Sequence, residues 1–403
     1  MKIAILLPDS LGVATLQRAR TLIRLLRKAT PLVGGPIELA VGLPLLPEAE
    51  WRTHEAMLKG EQEGVIVRHM QWEKVPSDHA QRMFVSFDAS FELSGIDEVS
   101  IPRDWGWNFS DCDFWINFAD PDLGAVYPLK PVAHYCPDLA VRIAPFAFSK
   151  SIHDPYWKRQ MAAFRMWRQR ALVLTNDPYT VDDLVSYAGI RRDAIIRVPE
   201  LLDGDLGSAS NPKCNAKQLV WRMEPNELHS VQTAAEGLRI YLAEGGAMQP
   251  VIATESNLEI FEPPWLGKGI ADIPIELRKL LADIPKERIR SHDGLMRLLA
   301  RSAILWSSCV AGGEGYLIRC ANRANMHFLG MEFPLQKDLV AQLGLPAILY
   351  KSQTPIEIAS ALHALEGMAE KQPARSPEPP QSDITRSMEY SLLLDRLSEM
   401  TCA

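Results

Sequence analysis

Short apolar runs and amphipathic stretches take turns along most of this chain. Residues 2–8 form an apolar run, Gly12 marks a turn, and residues 15–28 place apolar side chains at helical spacing with Arg on the other face. Strand-like runs follow at residues 37–42, 64–67, 113–119 and 132–135. Residues 155–170 predict a helix rich in aromatics and Arg, followed by a strand at 171–175. A short helix at 182–187, ended by Gly189, precedes a strand at 194–199. Strands alternating with helices predict a parallel sheet covered on both faces.

A break comes at residues 202–217, LDGDLGSASNPKCNAK, whose Gly, Ser, Asn and Asp read as an exposed linker. The α/β pattern then restarts. Strands are predicted at 218–221, 249–254, 303–306 and 345–350, and helices at 230–243, 275–284, 294–302 and 355–371. Residues 373–383, PARSPEPPQSD, form a Pro-rich connector, and an amphipathic segment closes the chain. The predicted organisation is therefore a domain at 1–203, a linker at 204–217, a second domain at 218–372, the connector, and a terminal helix at 384–403.

A length of 403 residues suits two domains with a substantial core each. Composition is that of an ordinary globular protein, 47% apolar and 23% charged. The net charge of −7 argues against nucleic acid as a partner and against general attraction to anionic lipid. No apolar run reaches the roughly 18 residues that span a bilayer, and the amino-terminal run is cut short by Asp9. The six Cys are scattered, with no metal spacing, so reduced thiols and a cytoplasmic location are expected. No GxGxxG follows the first strand, which excludes a dinucleotide oxidoreductase on sequence.

Candidate chemistry concentrates at Gly312-Gly313-Glu314-Gly315, a Gly-rich turn between a predicted strand and a helix. Glycines let the backbone approach phosphate, and the helix start offers free N–H groups. A bare connecting loop would also explain the turn alone. Four other segments stand in order with it. These are Asp111-Cys112-Asp113-Phe114-Trp115, residues 137–145 (PDLAVRIAP), residues 175–190 (TNDPYTVDDLVSYAGI) and residues 220–231 (VWRMEPNELHSV). Together they resemble retaining glycosyltransferases of family 4, specifically bacterial polysaccharide transferases, over roughly residues 111–366. That resemblance implies the α/β GT-B fold, with two Rossmann-like domains facing across a cleft and a terminal helix crossing back to the first.

The resemblance implies a nucleotide-diphosphate sugar as donor, bound by the second domain, with no cofactor. Its donor-binding residues would be Arg222, Asn226, His229, Gly312, Gly313, Gly315, Tyr316 and Arg319. Arg222 would balance the diphosphate, whose charge develops as it leaves. The family places a Lys where Ser230 stands, and two Glu where Ala311 and Arg319 stand; Glu314 is then the substitute acid. Gly12, Thr15 and Arg142 would shape the acceptor side, with Asp138 and His134 facing the acceptor hydroxyl. No metal is expected, since the Asp111-Cys112-Asp113 pair directly precedes a buried strand. The expected function is hexosyl or deoxyhexosyl transfer, with retention, to a glycan or lipid-linked acceptor in surface-polysaccharide or glycoconjugate assembly. The work would be done in the cytoplasm or at the inner face of the membrane.

The replaced Lys and Glu support an alternative, a catalytically degenerate subunit that scaffolds an active glycosyltransferase. Two further clusters carry two readings each. Trp105, Trp107, Phe109, Phe114 and Trp115 read as domain core or as a sugar-stacking platform. The helix bearing Trp157, Lys158, Arg159, Arg165, Trp167, Arg168 and Arg170 reads as a solvated face with one buried edge, or as a contact for an anionic acceptor.

Overall fold

In the computed structural model, the described residues are 1–9, 11–28, 37–60, 64–84, 92–118, 124–143, 155–198, 215–224, 230–255, 273–310, 315–371 and 395–396. The chain forms two compact units, the main change-over falling between Leu201 and Leu202. Each is built on its own parallel sheet.

The first unit begins β1 (Lys2–Leu6), α1 (Val13–Lys28), β2 (Glu38–Pro44), α2 (Glu48–Lys59) and β3 (Val65–Met70). An antiparallel pair follows, β4 (Trp72–Pro76) and β5 (Glu98–Pro102), with α3 (Ser77–Phe84) between its strands. Then come β6 (Phe114–Phe118), β7 (Val132–Tyr135), α4 (Ala140–Ile143), α5 (Pro155–Arg170), β8 (Leu172–Thr175), α6 (Pro178–Ser186) and β9 (Ile195–Arg197). The parallel sheet has the order β3-β2-β1-β6-β7-β8-β9. Chain direction across the sheet reverses between β1 and β6, which makes their carboxyl ends the switch point where open α/β sheets take ligands. One face packs Ile3, Ile5, Phe114 and Ile116 under α1, and the other packs Leu6, Trp115 and Val173 under α5.

The second unit contains β10 (Asn215–Arg222), α7 (Val231–Ala243), β11 (Gln249–Thr254), α8 (Ile275–Asp283), β12 (Lys286–Arg288), α9 (His292–Leu299) and β13 (Ser302–Ser307). It ends with α10 (Gly315–Arg323), β14 (His327–Met331), α11 (Pro334–Leu343), β15 (Ala347–Tyr350) and α12 (Pro355–Lys371). Its order, β12-β11-β10-β13-β14-β15, puts the switch point between β10 and β13. Trp221 stacks on Trp306 across those two strands, 4.6 Å between centroids, and seals the core beneath that point.

Several boundaries differ from the sequence expectation. Strand β10 starts at Asn215, inside the expected linker, because Asn215 pairs with Ser302 before a register irregularity. The rest of that linker, the connector and nearly all of the terminal helix lie outside the described residues. Helix α6 starts at Pro178, four residues early, because the Asp177 carboxylate caps it through the Thr180 N–H at 2.7 Å. Of the aromatic cluster, Phe109, Phe114 and Trp115 are core, whereas Trp107 is 79% exposed. On α5, Trp167 is buried and Trp157 half-exposed. Among the described residues, no helix is long and apolar enough to cross a membrane, and no His/Cys/Asp/Glu group could hold a metal ion.

Candidate functional site

Two carboxyl edges carry the chemistry-bearing residues, one on each sheet. On the second sheet, β10 ends in Arg222, whose backbone pairs with Ala253 of β11 on one side and Ser307 of β13 on the other. A cation therefore stands at the switch point, only 8% exposed. Its guanidinium is held by two carboxylates: Nη1 donates to Glu224 and Nη2 to Glu255 at 2.5 Å. Glu224 also accepts from the Thr254 hydroxyl at 2.9 Å and from the Glu255 main-chain N–H at 2.6 Å. Sequence reading found Arg222 and missed both acids, since Glu255 lies 33 residues away and meets it only through the pairing of β10 with β11.

Strand β13 carries the chain toward the Gly turn. The Trp221 indole N–H donates to the Ser308 hydroxyl at 3.0 Å and fixes the start of that exit. Gly312, Gly313, Glu314, Ala311, Asn226 and His229 lie outside the described residues. Gly315 opens α10 and is buried. Tyr316, expected to cradle a donor, is instead buried with its hydroxyl 2.7 Å from His292 Nδ1, which ties α10 to α9. Arg319 is half-buried one turn further along α10. Ser230 precedes α7 at φ 35°, and its side chain does not cap the helix.

On the first sheet, Gly12 and Thr15 are half-buried at the start of α1, beyond the carboxyl end of β1, and the Gly12 carbonyl accepts from the Leu16 N–H at 3.0 Å. Asp138 is half-buried three residues past β7. The Cys136 thiol donates to its main-chain carbonyl at 3.2 Å. Burial, then the Asp138 and Asp177 carboxylates, push that thiol well above its usual range, so Cys136 is no nucleophile. Burial also raises Asp177, against two bonds from Thr180 and with help from Asp138. Asp138 thus has an acidic neighbour, Asp177, that sequence reading did not single out. Arg142 is exposed on α4, in the short segment 142–147 that belongs to the second unit and not the first.

His134 lies lower, within β7. Its ring is buried and stacked on Trp167, 5.2 Å between centroids. Burial lowers its pKa to about 3, so the imidazole is neutral near pH 7. Beside it on β6 is Asn117, fully buried at the switch point, and among the described residues both amide atoms lack a hydrogen-bond partner. Sequence reading missed Asn117, although an Asn inside the run DFWINFA was a visible anomaly. The Asp111-Cys112-Asp113 acids are spent on structure. Asp111 accepts from Arg68 at 2.7 and 2.8 Å and from Lys2 Nζ at 2.6 Å, while Asp113 accepts the Lys2 main-chain N–H at 2.8 Å.

No family model matches the chain, and no curated protein matches it in sequence. Solved structures match it over nearly its whole length. A variant of TarM from S. aureus, solved with Fondaparinux, alpha-GlcNAc-glycerol and UDP, is 8% identical with a TM-score of 0.62, covering 100% of both chains. HepE from Anabaena, solved with UDP and glucose, is 11% identical with a TM-score of 0.57, over 97% of this chain and 99% of its own. The UDP-GlcNAc 2-epimerase from Neisseria meningitidis, bound to UDP-GlcNAc, is 13% identical with a TM-score of 0.56, over 99% and 100%. At such identities the likeness is one of fold. With a Rossmann-like parallel sheet in each of its two units, this chain has the GT-B fold.

Proposed function

We propose that the chain is a glycosyltransferase whose second unit binds a nucleotide-diphosphate sugar at the carboxyl edge around Arg222. The observation that carries this reading is a buried guanidinium at the switch point of the second sheet, on the strand beside the one that enters the Gly turn. The fold it shares with structures solved with UDP supports the same ligand class. Arg222 meets the diphosphate, the turn at 312–315 passes close to the phosphates, and Glu314 replaces the missing acids. Asp138 faces the acceptor hydroxyl, with Gly12, Thr15, Arg142 and Asn117 shaping its side, while His134 holds the strand against Trp167. Transfer proceeds with retention, to a glycan or lipid-linked acceptor of a bacterial surface polysaccharide or glycoconjugate, in the cytoplasm or at the inner membrane face.

A second reading has its own observation. The guanidinium is already matched by two carboxylates, and Ser230 and Arg319 stand where the resembled family has Lys and Glu. These favour a non-catalytic subunit that scaffolds an active transferase.

Thermal-shift screening against UDP-, GDP-, ADP- and dTDP-sugars separates the two. At one hundred times its dissociation constant a true donor stabilises the fold by about 2.7 kcal/mol, a shift of a few degrees. A selective shift followed by sugar release or transfer supports the enzyme. No shift at millimolar concentration removes the donor site and leaves the scaffold.

A further inference from the structure

Glu224 sits on the donor set that a phosphate oxygen would take: a guanidinium, a main-chain N–H and a hydroxyl. Its Oε1 accepts from Arg222 and from the Glu255 N–H, and its Oε2 from Thr254. Glu255 takes the other arm of the guanidinium. The Arg222 side chain is 10% exposed and that of Glu224 15%, so water screens the contact poorly. Two acids thus share one guanidinium at an edge that was expected to attract anions. Arg288 lies beside it, with Nε donating to the Glu255 carbonyl at 3.4 Å.

We propose that Glu224 is a built-in competitor for anions, occupying on Arg222 the place of a diphosphate oxygen. A nucleoside diphosphate then binds only as Glu224 swings away, and the acid sets the affinity of this edge. The proposal rests on Arg222 marking the donor edge.

Glu224→Gln tests it, because the amide oxygen can keep the Oε1 bonds from Arg222 and the Glu255 N–H, and its NH2 can donate to the Thr254 hydroxyl, while the charge is lost. Full-length wild type, Glu224→Gln and the double variant Arg222→Gln/Glu224→Gln are titrated calorimetrically with UDP, GDP, ADP and inorganic pyrophosphate at low salt. Glu224→Gln is expected to bind at least one of these roughly tenfold tighter than wild type, and the double variant to lose that gain. Equal affinity in wild type and Glu224→Gln overturns the proposal but leaves the donor edge standing. Weaker binding by Glu224→Gln also overturns it, and makes Glu224 a positioning residue for Arg222. Binding by none of the three proteins overturns both the proposal and the donor reading. Should Glu224→Gln fold poorly, Glu255→Gln removes the other competing charge and is held to the same outcomes.

Discussion

His134 and Asn117 are register partners on β7 and β6, and each makes a separate statement at the scale of the residue. His134 is neutral in the fold and free to ionise when unfolded. With its pKa lowered to about 3, it contributes stability above its unfolded value near 6.5, which is lost as pH falls toward 3. Between pH 7 and pH 5 that loss is on the order of 2 kcal/mol. Denaturant titrations at the two pH values should show wild type losing more than His134→Phe by about this amount; equal losses would mean the ring is not buried neutral. Asn117 carries the cost of an unpaired buried amide, about 1–3 kcal/mol. Asn117→Leu should therefore raise the melting temperature and, if the amide serves the acceptor, raise its KM. A lower melting temperature would show the amide to be satisfied. The apolar runs made both strands legible as buried, but the partners of the two side chains were not, because these emerge only when strands and helices close over a side chain.

At the scale of the element, α7 and α12 meet through a glycine. A Cβ at Gly237 would come within 2.7 Å of Ile358 Cγ2 and 3.0 Å of the Pro355 carbonyl. On an open helix surface Gly→Ala gains about 1 kcal/mol of helix propensity. Here overpacking of about 1–3 kcal/mol opposes it, so Gly237→Ala should lower the melting temperature. A stabilised variant would place the two helices further apart. Elements with an uninterrupted signal were legible in full: β7, α5, β11 and α12 have the bounds their sequence predicts. Helix α2 was not, since five of the twelve residues of EAEWRTHEAMLK are charged and Leu58 is its one fully buried residue. The pair β4–β5 also escaped, because its strands are only five residues each and lie 21 residues apart along the chain.

At the scale of the molecule, two units with separate cores should melt as two cooperative transitions. Calorimetry with and without a saturating nucleotide should move the transition of the second unit more than that of the first. Equal movement of both would argue against a ligand held mainly by the second sheet. The two-sheet organisation was legible because the α/β alternation restarts after residues 202–217. The state of Arg222 was not, because a guanidinium's partners depend on which strand lies beside its own.

The centre of the first sheet pairs Ile3 with Phe114, residues separated by 111 positions. Synthesis at roughly 5–20 residues per second leaves β1 without that neighbour for on the order of ten seconds. Through that interval Ile3, Ala4, Ile5 and Leu6, all fully buried once folded, have one side of their strand unpaired. Yield in a recombinant host should therefore depend on temperature and on chaperone supply more than on the marginal stability of the finished fold, with slow synthesis in the cold recovering protein that rapid induction sends to inclusion bodies.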